Sequence, residues 1–371
     1  MDFEFSAGQV LLRDSVRRLL AREHTGEHRQ ALLQASDGPP DGHSESLWRL
    51  LAELGLFGLS MPEESGGYGG PTEVMLVMEE LGRGLVLEPF MSTVILGGGL
   101  VRDYGTVAQR ARLLPKIVTG NLRIALAHHE SGSRYVLDRV TTLARRGKGC
   151  YIVSGAKAIV LDAPLADLLI VSARDDAAGG LSLFMVEPGT AGLGTTSYRT
   201  QDGHSAADLV LDNVRLPTAA RLGSPGAALT VLEQAVDCAV AALCAEAVGA
   251  MEAINEATAA VAGQHPIPRR RMIDMFLITT QAKAMSYLAT GRCRERDRTE
   301  RHRALSAAKA FIGKATHFVG QQTLQLHGDF GMPGGLLINH YCQRLNMIKA
   351  TLGDTGHHIG AFSDLLRAES S

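Results

Sequence analysis

Leu54-Gly55-Leu56-Phe57-Gly58-Leu59-Ser60-Met61-Pro62-Glu63-Glu64-Ser65-Gly66-Gly67-Tyr68-Gly69-Gly70 is a leucine-spaced run that passes into a Pro/Gly-rich turn. Just upstream, Leu47, Leu50, Leu51, Leu54 and Leu56 recur at near-helical spacing, as do Val10, Leu11, Val16, Leu19 and Leu20 earlier. Between those two runs, Asp37-Gly38-Pro39-Pro40-Asp41-Gly42 has the chemistry of a loop. Downstream, Glu73 to Leu85 reads as another helix, ending near Gly82 and Gly84. Residues from about 8 to 122 are therefore expected to be helical.

The period then changes. Tyr151-Ile152-Val153-Ser154-Gly155, Leu168-Leu169-Ile170-Val171, Leu183-Phe184-Met185-Val186 and Asp208-Leu209-Val210-Leu211 are short apolar or β-branched runs between Gly, Asp and Pro turns, the pattern of a small all-β domain. Long Ala-rich helices return in Val240 to Ala262, Met272 to Thr290, Ala304 to Leu326 and Leu345 to Leu366. The expected α+β architecture is an N-terminal helical domain (1–122), a central β-barrel (123–226) and a C-terminal four-helix bundle (227–371).

Composition narrows the function. A formal net charge of -2 argues against nucleic acid as the main partner, and 5% aromatic content with one Trp argues against a stacking platform for single strands. The five cysteines, Cys150, Cys238, Cys244, Cys293 and Cys342, are scattered without CxxC or Cys/His spacing, so neither a disulfide framework nor a metal site is expected. Asp2 and Glu4 open the chain in place of a basic leader, and no apolar run reads as long enough for a membrane span. The expected compartment is the cytoplasm.

The opening stretch, Leu54 to Gly70, resembles the N-domain signature LGL…PEE-x-GG-x-G of the acyl-CoA dehydrogenase superfamily. Gly155-Ala156-Lys157 resembles the G-x-K entering its flavin-facing strand, and Gln325-Leu326-His327-Gly328 with Gly331-Met332 resembles its QxxGGxG loop. Glu246-Ala247-Val248-Gly249 sits where the first C-terminal helix of that family begins its long run. Within the superfamily, Met1-Asp2-Phe3, Ser133-Arg134-Tyr135, Cys244 to Met251, Phe318 to Gln322 and His340-Tyr341 are similar to the small-subunit type of pimeloyl-CoA dehydrogenase. Such subunits form one half of two-gene enzymes. The resemblance implies α,β-dehydrogenation of an acyl thioester, on CoA or a carrier, with FAD shared with or mainly supplied by a partner. It also implies a homologous subunit in a heterodimer or heterotetramer, or a homo-oligomer, and an electron-transfer flavoprotein-like acceptor. Two other readings stand beside it: a non-catalytic structural partner, and a flavin-independent enzyme on an acyl thioester.

That chemistry needs a carboxylate against a weakly acidic α-proton. The family's usual Glu position, counted from the GGxG loop, falls at Gly353, with Asp354 beside it. The alternative position on the first C-terminal helix falls at Ala239, and Glu246 lies about two turns later on a similar face. In its apolar setting an unpaired Glu246 would have the raised pKa of a base, whereas pairing with an Arg across a subunit interface would make it structural. Glu246 and Asp354 are the candidate bases.

On the diphosphate side, the family's R-x-Q-F-G resembles Ala262-Gly263-Gln264-His265-Pro266, without the Arg, and about two turns are missing before Arg269-Arg270-Arg271. Arg270 is the candidate replacement, with Gln325, Gly328 and Gly331 as the other diphosphate contacts; a solvated turn is the competing reading of the arginines. Asp329 stands where the second Gly should admit a phosphate, and would repel it. On the ring side, the T-E-P-x-A-G-S-D stretch resembles His128-His129-Glu130-Ser131-Gly132-Ser133-Arg134, and Ala158-Ile159-Val160-Leu161 lacks the usual Trp and Thr. His129, Ser131, Ile159 and Val160 are the candidate ring contacts. Arg292 to Arg303, alternating in charge, reads as a solvated helix face.

Overall fold

The computed structural model describes residues 4–34, 43–262, 269–328 and 335–369. Its elements are α1 (Ala7–Glu23), α2 (Gly26–Gln34), α3 (Glu45–Glu53), α4 (Pro71–Gly84), α5 (Gly98–Tyr104) and α6 (Val107–Val118), then eight strands, then α7 (Ala228–Ala262), α8 (Arg269–Arg292), α9 (Arg298–Gly328), α10 (Gly335–Ala350) and α11 (Thr355–Glu369). The strands are β1 (Ile124–Ala127), β2 (Leu143–Arg146), β3 (Cys150–Leu161), β4 (Leu168–Asp175), β5 (Leu181–Val186), β6 (Leu193–Arg199), β7 (Ser205–Pro217) and β8 (Arg221–Leu222). A π-helical turn, Met91–Gly97, precedes α5.

Helices, strands and helices follow in the expected order. The expected loop at 37–42 lies outside the described residues. Two compact units form, and neither is a single segment: one is Met1–Ala31, Gly70–Val86 and Asp237–Ser371, the other Leu32–Gly69 and Leu87–Val236.

In the second unit the strands hydrogen-bond in the order β6-β7-β3-β2-β4-β5-β8, with β1 parallel to β4. Alternation of β3 and β7 puts Tyr151, Val153, Val160, Leu209, Leu211, Val214 and Leu216 into one core with Phe184 and Val186. The β3–β7 ladder slips between Lys157 and Val160, so β3 bulges there.

In the first unit α7 is the axis. By length and composition Ala228–Ala260 is apolar enough to cross a membrane, with mean hydropathy 1.6, which departs from the expectation that no such run exists. Most of its apolar window is buried, as expected of a core helix. A Cβ on Gly82 would fall onto the Glu246 carbonyl oxygen, and one on Gly249 onto that of Glu79, so glycine at both positions lets α4 and α7 meet backbone to backbone. Around this contact, Arg17 binds Glu80 at 2.7 Å, Arg83 binds Glu252 at 2.8 Å and Glu256 at 2.6 Å, and Lys283 binds Glu252 at 2.7 Å.

Two expectations fail here. Leu345 to Leu366 is not one helix: α10 stops at Ala350 and α11 starts at Thr355, because Leu352 (φ 55) and Gly353 (φ 109) leave helical space. Among the described residues the C-terminal part therefore contains five helices. The Arg292–Arg303 face is not wholly solvated either, since Arg301 is buried and binds Asp237 on α7 at 2.7 Å.

Candidate functional site

The sheet unit carries the first group of site residues, at the rim where β1 ends. Here the chain leaves β1 through His128 and His129, and Ala158 on the β3 bulge donates its N–H to the His129 carbonyl at 2.9 Å. Beneath the rim Lys157 is fully buried. Its ammonium donates to Glu130 Oε1 at 2.7 Å, Ser172 Oγ at 3.1 Å and the His128 carbonyl at 3.3 Å. Glu130 also accepts from the Thr141 N–H at 2.7 Å, Thr141 Oγ1 at 2.5 Å, the Thr142 N–H at 3.0 Å and Thr142 Oγ1 at 2.6 Å. Burial opposes the Glu130 charge, but the bonds from Lys157, Thr141 and Thr142 outweigh it and hold the carboxyl at about 2. Burial lowers the Lys157 ammonium to about 8 against the pull of Glu130. A buried pair this fully bonded fixes geometry more than it adds stability.

The ring-side candidates divide. His129 is half-buried with Nδ1 3.3 Å from the Ala158 carbonyl, and Ser131 is exposed on the following turn. Ile159 is 51% exposed at φ 50, an unusual conformation for a β-branched residue, and its N–H is taken by Asp208 Oδ1 at 2.8 Å. Tyr198 donates to the same oxygen at 2.8 Å. Strain of this kind is held only where the surroundings insist on it. Val160 is a correction: its side chain is buried in the sheet core and presents nothing at the rim.

The helical unit carries the second group. Arg269, Arg270 and Arg271 form the exposed first turn of α8, a turn that contains no acidic residue. Arg271 reaches Gln325 on α9, with Nη1 3.4 Å from Oε1, while Arg270, the candidate diphosphate contact, is exposed beside it. Gly328 is the last residue of α9. Gly331 and Asp329 lie outside the described residues, as does the segment from Gly263 to Pro268.

Both candidate bases are engaged elsewhere. Of the two readings of Glu246, pairing with an arginine is the one observed: Arg344 on α10 grips it with two bonds, Nε to Oε1 at 2.5 Å and Nη2 to Oε2 at 2.8 Å, and both side chains are buried. The pairing is within one chain, so it needs no subunit interface. Asp354 accepts the His357 N–H at 2.8 Å and so caps the start of α11. The usual base position, Gly353, is closed. Its carbonyl receives the buried Lys309 ammonium at 2.9 Å, and Lys309 also holds the Ile348 carbonyl at 2.9 Å and that of Lys349 at 3.3 Å. A Cβ at 353 would fall onto His358 Nε2 and within 2.8 Å of His357 Cδ2. The other position, Ala239, is a buried alanine.

Sequence alone missed Arg344, Lys309 and the role of Glu130, because each acts on a residue far along the chain. The one local signal was Lys157 itself, a lysine inside an otherwise apolar strand that must find a carboxylate.

An eight-stranded sheet domain set between N- and C-terminal helices is the fold class of flavin-linked acyl-thioester dehydrogenases. Three successive domain families match the chain: acyl-CoA dehydrogenase N-terminal domain over residues 6–121, middle domain over 124–214 and C-terminal domain over 230–360. The chain belongs to the acyl-CoA dehydrogenase family. Mitochondrial isovaleryl-CoA dehydrogenase of Oryza sativa subsp. japonica is 30% identical over 261 residues, 67% of this chain and 62% of that protein, so the match spans under two thirds of the relative's length. Among solved structures, a variant of the Tcur3481-Tcur3483 steroid ACAD superposes with TM-score 0.85 at 25% identity over 98% of each chain. The ChsE4-ChsE5 complex from Mycobacterium tuberculosis gives 0.85 at 21% identity over 100% of this chain and 99% of that one.

Proposed function

We propose that this chain is a subunit of a flavin-dependent acyl-CoA dehydrogenase that works with a different, homologous subunit, and that the partner supplies the carboxylate base. The observation that carries the reading is the closed base position. Gly353 is bonded by Lys309 and crowded by His358, Glu246 is committed to Arg344, and Asp354 caps a helix. The Lys309 and Arg344 contacts satisfy groups that would otherwise be buried without partners. The fold kinship with the Tcur3481-Tcur3483 steroid ACAD, whose designation joins two components, supports a two-component assembly. The resemblance to pimeloyl-CoA dehydrogenase small subunits points the same way.

Family membership makes FAD the cofactor, and each unit, taken by itself, offers residues that suit a part of it. At the sheet rim the exposed Ile159 side chain offers an apolar surface beside the polar edges of His129 and Ser131. On the helical unit, Arg271 and Gln325, with Arg269 and Arg270, suit a diphosphate. Flavin, when bound, supplies the hydride acceptor. The chain's own residues bind and orient: Lys157 and Glu130 fix the rim, and Asp208 holds the bulge that presents Ile159. Of the two candidate bases, Glu246 is committed to Arg344 and Asp354 to the start of α11. Such a subunit would act in the cytoplasm on a CoA- or carrier-bound thioester and hand electrons to an electron-transfer flavoprotein-like acceptor.

The test is co-expression and co-purification with a homologous acyl-CoA dehydrogenase subunit. Acyl-CoA-dependent bleaching of the flavin in the mixture, abolished by removing a carboxylate of the partner and not by Glu246→Gln or Asp354→Asn, supports the assignment. Bleaching that depends on Glu246 or Asp354 overturns it.

A further inference from the structure

His128 has a feature that the family resemblance does not supply: its imidazole is locked in one protonation state and one tautomer. Nδ1 lies 2.9 Å from Ser172 Oγ. That same oxygen accepts from the Lys157 ammonium at 3.1 Å, and an ammonium can only donate. Ser172 is fully buried on β4, and among the described residues its hydroxyl proton has no other acceptor than His128 Nδ1. Nδ1 therefore accepts, and the ring proton sits on Nε2. The groups facing the ring are Lys157 from β3 and Glu130 and His129 from its own loop. Burial first, then the Lys157 charge, drives the imidazole down to about 4, with Glu130 opposing and His129 adding to the effect. Nε2 has no partner among the described residues, yet it is not among the atoms sealed from solvent. The ring is thus a neutral N–H donor that carries its one ring proton on Nε2, just past the end of β1.

We propose that His128 is a fixed, neutral hydrogen-bond donor that binds an amide-type carbonyl oxygen of the ligand lying on this rim. The inference rests on the functional reading above. Two ligands of that chemistry are available to such a subunit, the pyrimidine carbonyls of flavin and the pantetheine amides of coenzyme A. A neutral imidazole held by a buried lysine can donate to a carbonyl without paying to lose a proton or swap tautomer as pH changes.

The experiment has two readouts on the full-length chain. In 15N NMR of the histidine rings, the resonance pair lost in His128→Gln is expected to show a neutral ring protonated on Nε2 from pH 5 to 8. Lys157→Met is expected to raise that ring's titration toward the ordinary histidine range. Separately, FAD and coenzyme A are titrated into the native chain, His128→Leu and His128→Gln. For one of the two ligands, His128→Leu is expected to weaken binding by about five- to tenfold, as for loss of one neutral hydrogen bond. His128→Gln, which keeps an N–H near the same place, recovers most of it. The ligand that responds identifies the source of the carbonyl. A ring that titrates normally in the native chain overturns the proposal, as do affinities for both ligands that stay within twofold in His128→Leu. Where the native chain alone binds neither ligand, the titrations are run on its complex with the homologous subunit; affinities that stay within twofold in His128→Leu there overturn the proposal, and failure of that complex to bind FAD overturns the functional reading instead.

Discussion

Removing the Glu246 carboxylate distinguishes a structural residue from a catalytic one. In the fold this group is buried 2.5 and 2.8 Å from the Arg344 guanidinium, on helices that meet at the centre of the helical unit. Glu246→Ala leaves the guanidinium buried without its counter-charge, and breaking one side of such a pair costs about 3–5 kcal/mol. Total stability of a domain is only about 5–15 kcal/mol, so the loss is a large share of it. Glu246→Leu with Arg344→Met removes both charges and is expected to recover most of the deficit, since an apolar pair of similar volume avoids the desolvation cost. Urea denaturation of the native chain, Glu246→Ala and the double variant, read by far-UV circular dichroism, measures the loss and its recovery. If Glu246→Gln leaves stability within ~0.5 kcal/mol of the native chain while abolishing turnover of the assembled enzyme, the carboxylate is the base and the structural account is wrong.

The other expectations follow from single sites. Gly353→Glu at the usual base position is expected to destabilise by roughly 2–6 kcal/mol, from left-handed backbone strain and overpacking against His358, and to yield no dehydrogenation; a stable variant that gains activity would show the position is open. Glu88 is buried, and burial raises its carboxyl from 4.5 to about 7. Because the folded value lies above the unfolded one, its stabilising contribution is full below about pH 4.5 and is lost as pH rises through 7. Glu88→Gln should therefore be more stable than the native chain at pH 8, by up to roughly 3 kcal/mol, with no gain at pH 4; denaturation at the two pH values checks it. Arg271→Ala should weaken FAD by roughly ten- to a hundredfold, and Arg270→Ala by much less, because only Arg271 turns toward Gln325; equal effects in fluorescence titrations would show that the cluster acts only as diffuse charge.

The fold was legible because its signals are local and periodic. Leucine spacing marked α3, and alternation around Tyr151 and Val153 marked β3, and both lie where those patterns put them. The break between α10 and α11 was not legible, since Leu352 gives no warning of its positive φ, and Gly353 looked like a missing catalytic residue before it looked like a turn. The site was harder for a different reason. Glu246 reads the same from sequence whether or not Arg344, on another helix, reaches it. Val160 was misplaced because the bulge before it resets which strand positions face the core. Arg270 and Arg271 are neighbours, and only helix phase decides which one turns toward Gln325.

The central claim is that this chain holds flavin and substrate in place but takes its base from another subunit. The chain purified alone, loaded with FAD as far as it will accept it, is mixed with a panel of acyl-CoA thioesters and an artificial electron acceptor. The account predicts no bleaching of any bound flavin and no acceptor reduction until the homologous subunit is added. Sustained acceptor reduction by the chain alone, with any acyl-CoA, would contradict it.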